Sequence, residues 1–183
     1  MKPTLKIKFI IATIISMSFD IKAQISDSRY VVETTLDNKT PVVYEDNRGA
    51  FKFNINTGDL LFVTNLSNFK TGNKTTDSLL SEQEVILFTF SANTGQNLSG
   101  LIDQQNDDKY HSVTGIITVN NVTYNKEGFY RLKNLSERSN LSKVLVDLKL
   151  EIDPKVIKLP YLSDYFKNTL IFEVEDNFMN QNK

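Results

Sequence analysis

The 183-residue chain has no cysteine and no tryptophan, a single histidine, four prolines and seven glycines. Without cysteine there can be no disulfide framework, thiolate metal site, cysteine nucleophile or lipid attached through an N-terminal cysteine. With one histidine, any imidazole-based metal cluster or triad would rest on His111 alone. Its surroundings, DDKYHSVTG, put Asp107 and Asp108 nearby and read as a solvated hairpin turn. An excess of basic charge is also missing: 21 Lys and Arg stand against 22 Asp and Glu, with no basic run. That disfavours nucleic acid, whose binding is driven by phosphate neutralisation, and an electrostatic membrane anchor.

Long apolar runs are scarce too. The longest, from Phe9 to Phe19, is about half the ~20 residues a membrane helix needs, so no integral membrane segment is expected. It follows the basic head MKPTLKIK and precedes DIKAQ, the three parts of a secretory signal peptide. Cleavage is expected after Ala23, which makes the mature protein periplasmic or secreted. The loss of Lys2, Lys6, Lys8, Lys22 and Asp20 leaves 17 basic residues against 21 acidic ones. About 160 residues then remain, a length for one domain held together by burial alone.

What is present is alternation. Phe51, Phe53 and Ile55 alternate with Lys52, Asn54 and Asn56, and Thr57-Gly58-Asp59 supplies a turn into a strand over 60–66. Further strands are expected over 85–90, 97–102 and 110–119. Over 144–152, Val144, Val146, Leu148, Leu150 and Ile152 share one face, with Asp147, Lys149 and Glu151 on the other. Leu170, Phe172 and Val174 repeat the pattern against Glu173 and Glu175. In GIITVNNVTYN, Asn120-Asn121 is expected to make a tight primed turn, because Asn tolerates the left-handed backbone such turns require. Ahead of residue 50 only an edge strand over 30–33 is evident. Short helices are expected over 76–83, capped by Thr76 or Asp77, and over 160–166. Eight to ten strands joined by Asn, Gly and Asp turns describe an all-β antiparallel sandwich or barrel.

Catalytic and metal patterns do not hold up. Asp103 to Asp108 lacks the third acidic ligand, the central glycine and the closing glutamate of a calcium loop. SNFK and KTG, at 67–70 and 70–72, overlap on one lysine, whereas the serine acyl-enzymes that carry such motifs need two. The carboxylates of Asp147 and Glu151, and of Glu173 and Glu175, read as solvated outer strand faces. The Asn-x-Ser/Thr triplets at Asn38, Asn65, Asn73, Asn97, Asn121, Asn134 and Asn140 read as composition. The expectation is a non-enzyme with no metal and no cofactor.

Several segments nevertheless resemble one family. INTGDLLFVTNLSNF resembles the turn and strand ending in a Ser/Phe motif of YceI-like proteins, the polyisoprenoid-binding, lipocalin-like family. TTDSLLSEQEVILFTFSANTG resembles that family's short helix and strand ending in Thr-Phe, here Thr89-Phe90. SVTGIITVNNVTYN resembles its G-x-L-T-x-x-G-V-T hairpin at Gly115, Ile117, Thr118, Val122 and Thr123. The ending LVDLKLEIDPKVIKLPYLSDYFKNTLIFEVE is similar as well. The likeness runs over about 50–176; the family's usual Tyr-Pro is replaced by Val85-Ile86, and its first-strand His-Ser has no counterpart. It implies a lipocalin-like β-barrel of about eight strands with one or two short helices. Residues 50–183 would form this domain, and 24–49 a segment with one or two edge strands.

The resemblance further implies an interior holding an apolar small molecule such as an isoprenoid lipid. Phe53, Phe88, Phe90, Ile117, Leu148 and Phe172 are the expected ligand-facing residues, with open space beside Ile117 where Gly115 has no side chain. The alternative is a structural or adhesive surface β-domain whose interior is fully packed, with loops such as 103–110 doing its work. Either form leaves a homodimer open.

Overall fold

The computed structural model describes residues 24–36, 40–72, 74–82, 85–97, 109–134, 143–157 and 168–180. The leader over 1–23, the loop over 103–108 and the expected helix over 160–166 lie outside the described residues, as does 98–102 of one expected strand. Eight strands, each hydrogen-bonded to its neighbours in chain order, form a closed antiparallel barrel. They are β1 (Gln24–Leu36), β2 (Thr40–Asn54), β3 (Asp59–Asn65), β4 (Leu87–Asn93), β5 (His111–Val119), β6 (Val122–Asn134), β7 (Lys143–Ile152) and β8 (Leu170–Asn180). A 3₁₀ turn at Leu66–Asn68 and helix α1 (Lys74–Glu82) connect β3 to β4, and a single helical turn, α2 (Pro154–Ile157), follows β7.

The alternation read from the sequence sets the inner face. Phe51 and Phe53, Leu60 and Phe62, Phe88 and Phe90, Val113 and Ile117, Leu148 and Leu150, and Phe172 and Val174 are all buried. The hairpin between β5 and β6 turns on Asn120 and Asn121 at φ 45° and 71°, the left-handed pair a type I′ turn requires. The turn after β2 closes on Gly58, whose amide donates to the Asn54 carbonyl at 2.7 Å. Asn97 lies outside any strand.

Three sequence expectations give way. Residues 30–33 are no edge strand: β1 runs the full length 24–36 and is bonded to β2 on one side and β8 on the other. Together β1 and β2 complete the barrel, so the described residues among 24–49 belong to it rather than forming a segment of edge strands ahead of it. The strand is hard to read because of a bulge at which Asn47 and Arg48 both oppose Arg29. Across it the inward positions change from even (Val42, Tyr44, Asp46) to odd (Phe51, Phe53), which breaks any period-two pattern. The third concerns α1, which begins at Lys74. Asp77 is therefore inside the first turn, where its carboxylate ties down Thr71 by accepting from the backbone amide at 2.6 Å and the hydroxyl at 2.9 Å.

The outer carboxylates divide. Glu151 and Glu175 are exposed as expected, and Glu173 pairs with Lys149 at 3.2 Å. Asp147 is fully buried. Directly across the ladder, Arg131 closes over it with an Nη2 to Oδ2 distance of 2.5 Å, and Lys133 reaches the same oxygen at 3.0 Å. The Arg131 guanidinium is itself covered by the Tyr110 ring, 4.7 Å away. A carboxylate can leave water only when paired and hydrogen-bonded in this way.

Candidate functional site in the barrel interior

The six residues expected to face a ligand all lie on the inner face and are buried, none more than 1% exposed. Phe88 on β4 and Phe172 on β8 are brought into a parallel stack, with centroids 4.9 Å apart and planes 4° from parallel. Because β4 and β8 are opposite one another in an eight-strand ring, their side chains meet across the barrel. Phe62 joins them edge-on at 6.2 Å from Phe88, and Tyr30 joins Phe62 at 5.5 Å. A second crossing is made by Phe53 on β2 and Tyr130 on β6, 6.4 Å apart. His111 extends this group, 5.6 Å from Tyr130, at the exposed start of β5.

The space expected at Gly115 is taken. A methyl group there would come 2.6 Å from the Phe90 ring and 2.5 Å from the Ser91 carbonyl oxygen. The same ring lies 2.9 Å from where a Cβ of Gly128 would be. The two glycines therefore seat Phe90, with Leu150 also against Gly128, and the place that Gly115 leaves is filled. Ile117→Phe is accordingly expected to overpack the wall and cost ~1–3 kcal/mol in denaturant unfolding; an unchanged midpoint would show that the wall yields more than this packing allows.

A polar group sits at the wall between β1, β2 and β3, in residues that carry no motif. Tyr30 accepts a hydrogen bond from the Thr64 hydroxyl at 2.8 Å. Tyr44 donates to Asp46 at 2.6 Å, and Arg48 reaches round the bulge to hold both Asp46 oxygens, with Nε to Oδ1 at 2.8 Å and Nη2 to Oδ2 at 2.6 Å. Burial raises the Tyr44 phenol above its usual range, aided by its bond to Asp46. Burial likewise raises that of Tyr30. The Arg48 hydrogen bonds hold the Asp46 carboxyl down at about 2, against burial. Burial alternates over 41–46, but the sequence there, PVVYED, is four apolar residues followed by two acidic ones, so no period in the sequence marks this group.

The lowered Asp46 value fixes a direction for pH dependence. Its folded pKa lies below the unfolded 3.8, so its contribution is complete above about pH 4 and is lost as pH falls through about 2. Asp46→Asn should therefore melt earlier than wild type at pH 6, with the gap narrowing between pH 4 and 2. A gap independent of pH would show that the carboxylate charge contributes nothing.

One inner-face group has no partner among the described residues: the buried Thr34 hydroxyl, opposite Val42 on β2. No group of three or more His, Cys, Asp or Glu side chains suited to a metal occurs among the described residues. No described helix is long and apolar enough to cross a membrane.

No family model matches the chain, and no curated protein matches it. Among solved structures it is similar to a polyisoprenoid binding domain from Saccharophagus degradans implicated in plant cell wall breakdown. The TM-score is 0.63 at 11% identity, over 87% of this chain and 98% of that one. At that identity the likeness is one of fold: a closed, lipocalin-like barrel of eight antiparallel strands.

Proposed function

We propose that the chain is an exported, non-catalytic carrier of an apolar small molecule such as an isoprenoid lipid, held within the barrel. The observation that carries this reading is a closed barrel to whose inner face every strand contributes buried aromatic or aliphatic side chains. Its likeness to a polyisoprenoid binding domain over nearly that domain's whole length supports it. The Thr34 hydroxyl adds to it: a buried donor without a partner costs ~1–3 kcal/mol, which a ligand's polar atom would recover. The basic head and short apolar run of residues 1–23 support export to the periplasm or beyond.

A second reading has its own observation. The rings of Phe88 and Phe172, and of Phe53 and Tyr130, meet across the barrel, as they would in a structural domain with a filled interior. Organic extraction of the purified mature protein followed by mass spectrometry separates the two. A carrier yields an apolar compound in near-stoichiometric amount, whereas a filled barrel yields none and takes up none on incubation with isoprenoid alcohols. N-terminal sequencing of the same material is expected to begin at or near Gln24; a retained Met1 on exported protein would overturn the cleavage of residues 1–23.

A further inference from the structure

We infer that Lys126, on the inner face of β6 beside the point where its ladder to β7 ends, binds the anionic head of an amphiphile whose apolar chain enters the barrel. This rests on the carrier reading and names the ligand's polar end.

The ladder between β6 and β7 runs from Phe129 opposite Lys149 to Asn134 opposite Val144. Residues 122–128 of β6 remain bonded to β5, and 150–152 of β7 to β8, but the two stretches are not paired with each other. Beyond Phe129, β6 therefore runs on without a ladder to β7, although Leu150 still packs over Gly128, 2.7 Å from where a Cβ would be. The register with β5 shows which β6 side chains face inward. Opposed residues of an antiparallel pair share a face, so Val122, Tyr124, Lys126 and Gly128 lie on the side of Val119, Ile117, Gly115 and Val113. The two rows differ in exposure. Ile117 and Val119 are sealed, whereas Val122 is 46% exposed and Tyr124 and Lys126 are half-buried. Solvent thus reaches the inner face along β6 and not along β5.

Lys126 is the cation in this row. It is bracketed by Gly115 across the ladder and Gly128 along the strand, and the Phe90 ring occupies the space above both. Its stem is therefore set beside the apolar lining, and its half-buried side chain reaches solvent. Other lysines of the same sheet are paired, Lys133 with Asp147 and Lys149 with Glu173. Lys126 forms no ion pair among the described residues. A lone cation between an apolar interior and water is complementary to a molecule that ends in a phosphate or carboxylate and continues as hydrocarbon. Such a charge-assisted contact is stronger than the hydrogen bond a neutral alcohol can make.

The test uses farnesyl phosphate, farnesoic acid and farnesol, each below its aggregation limit, with binding to the mature protein followed by calorimetry. Wild type is expected to bind at least one of the two anions about tenfold more tightly than the alcohol. Lys126→Gln should abolish that preference and leave farnesol binding and the melting temperature unchanged, and Lys126→Arg should retain it. Which anion is preferred identifies the head group. Farnesol binding with no preference for either anion, or a preference that survives in Lys126→Gln, overturns the assignment of Lys126 alone. Failure of wild type to bind any of the three overturns the carrier reading beneath it.

Discussion

Phe88→Ala is expected to lower stability by ~3–5 kcal/mol, the range for removing a buried phenyl ring from a core that cannot fully close over the space. For a barrel of this size, that corresponds to a fall in Tm of roughly 10 °C. Phe88 is completely buried, and its ring stacks on Phe172 from the opposite wall while meeting Phe62 edge-on. Its loss therefore removes transfer energy and packing on two sides at once. The double variant with Phe172→Ala should lose less than the sum of the single ones by ~0.5–1.5 kcal/mol, the coupling of an aromatic pair. Urea unfolding of the four proteins measures it. Strict additivity would mean that the rings do not meet across the barrel.

Leu148→Ala on β7 is expected to cost ~2–5 kcal/mol, and Lys149→Ala, its neighbour on the outer face, no more than ~1 kcal/mol. Leu148 is 1% exposed at the middle of the strand, between Val146 and Leu150 on the same face. Lys149 is part-exposed and contributes through an ion pair to Glu173 that water and salt can reach. Side chains of a strand alternate between faces, so shifting the strand by a single residue would exchange the two outcomes. Comparable losses in denaturant melts would therefore show that the register with β8 is wrong.

How much could be read in advance depended on how local the cause was. The turn at Asn120-Asn121 and the inward faces of 51–53, 88–90, 113–119 and 146–152 follow from alternation and from a residue type that tolerates positive φ. All were legible. The strand over 40–54 was not, because a bulge changes the parity of its inward positions and no fixed period describes it. Asp147 could not be distinguished from Glu151 either. Both sit on the outer side of β7, and only the pairing of β6 places Arg131 and Lys133 over one of them. The polar group of Tyr30, Thr64, Tyr44, Asp46 and Arg48 escaped for the same reason, since its members come from three strands. The six inward residues were found, but the space expected beside Ile117 was misjudged. A glycine in a sequence does not reveal which ring will fill its place.

By itself, then, the sequence determined an all-β chain with few helices, the inner faces of most strands, a type I′ hairpin, and the lack of any cysteine chemistry. These are consequences of side-chain periodicity and residue type, which act over a few positions. The tertiary structure alone decided that β1 joins β8 to close the ring and that rings from opposite walls meet in its middle. It also decided that Asp147 is buried and that β6 runs past the end of its ladder to β7 beside Lys126. Each of those depends on which strands become neighbours and in what register, a long-range choice set by burial of the whole inner face at once.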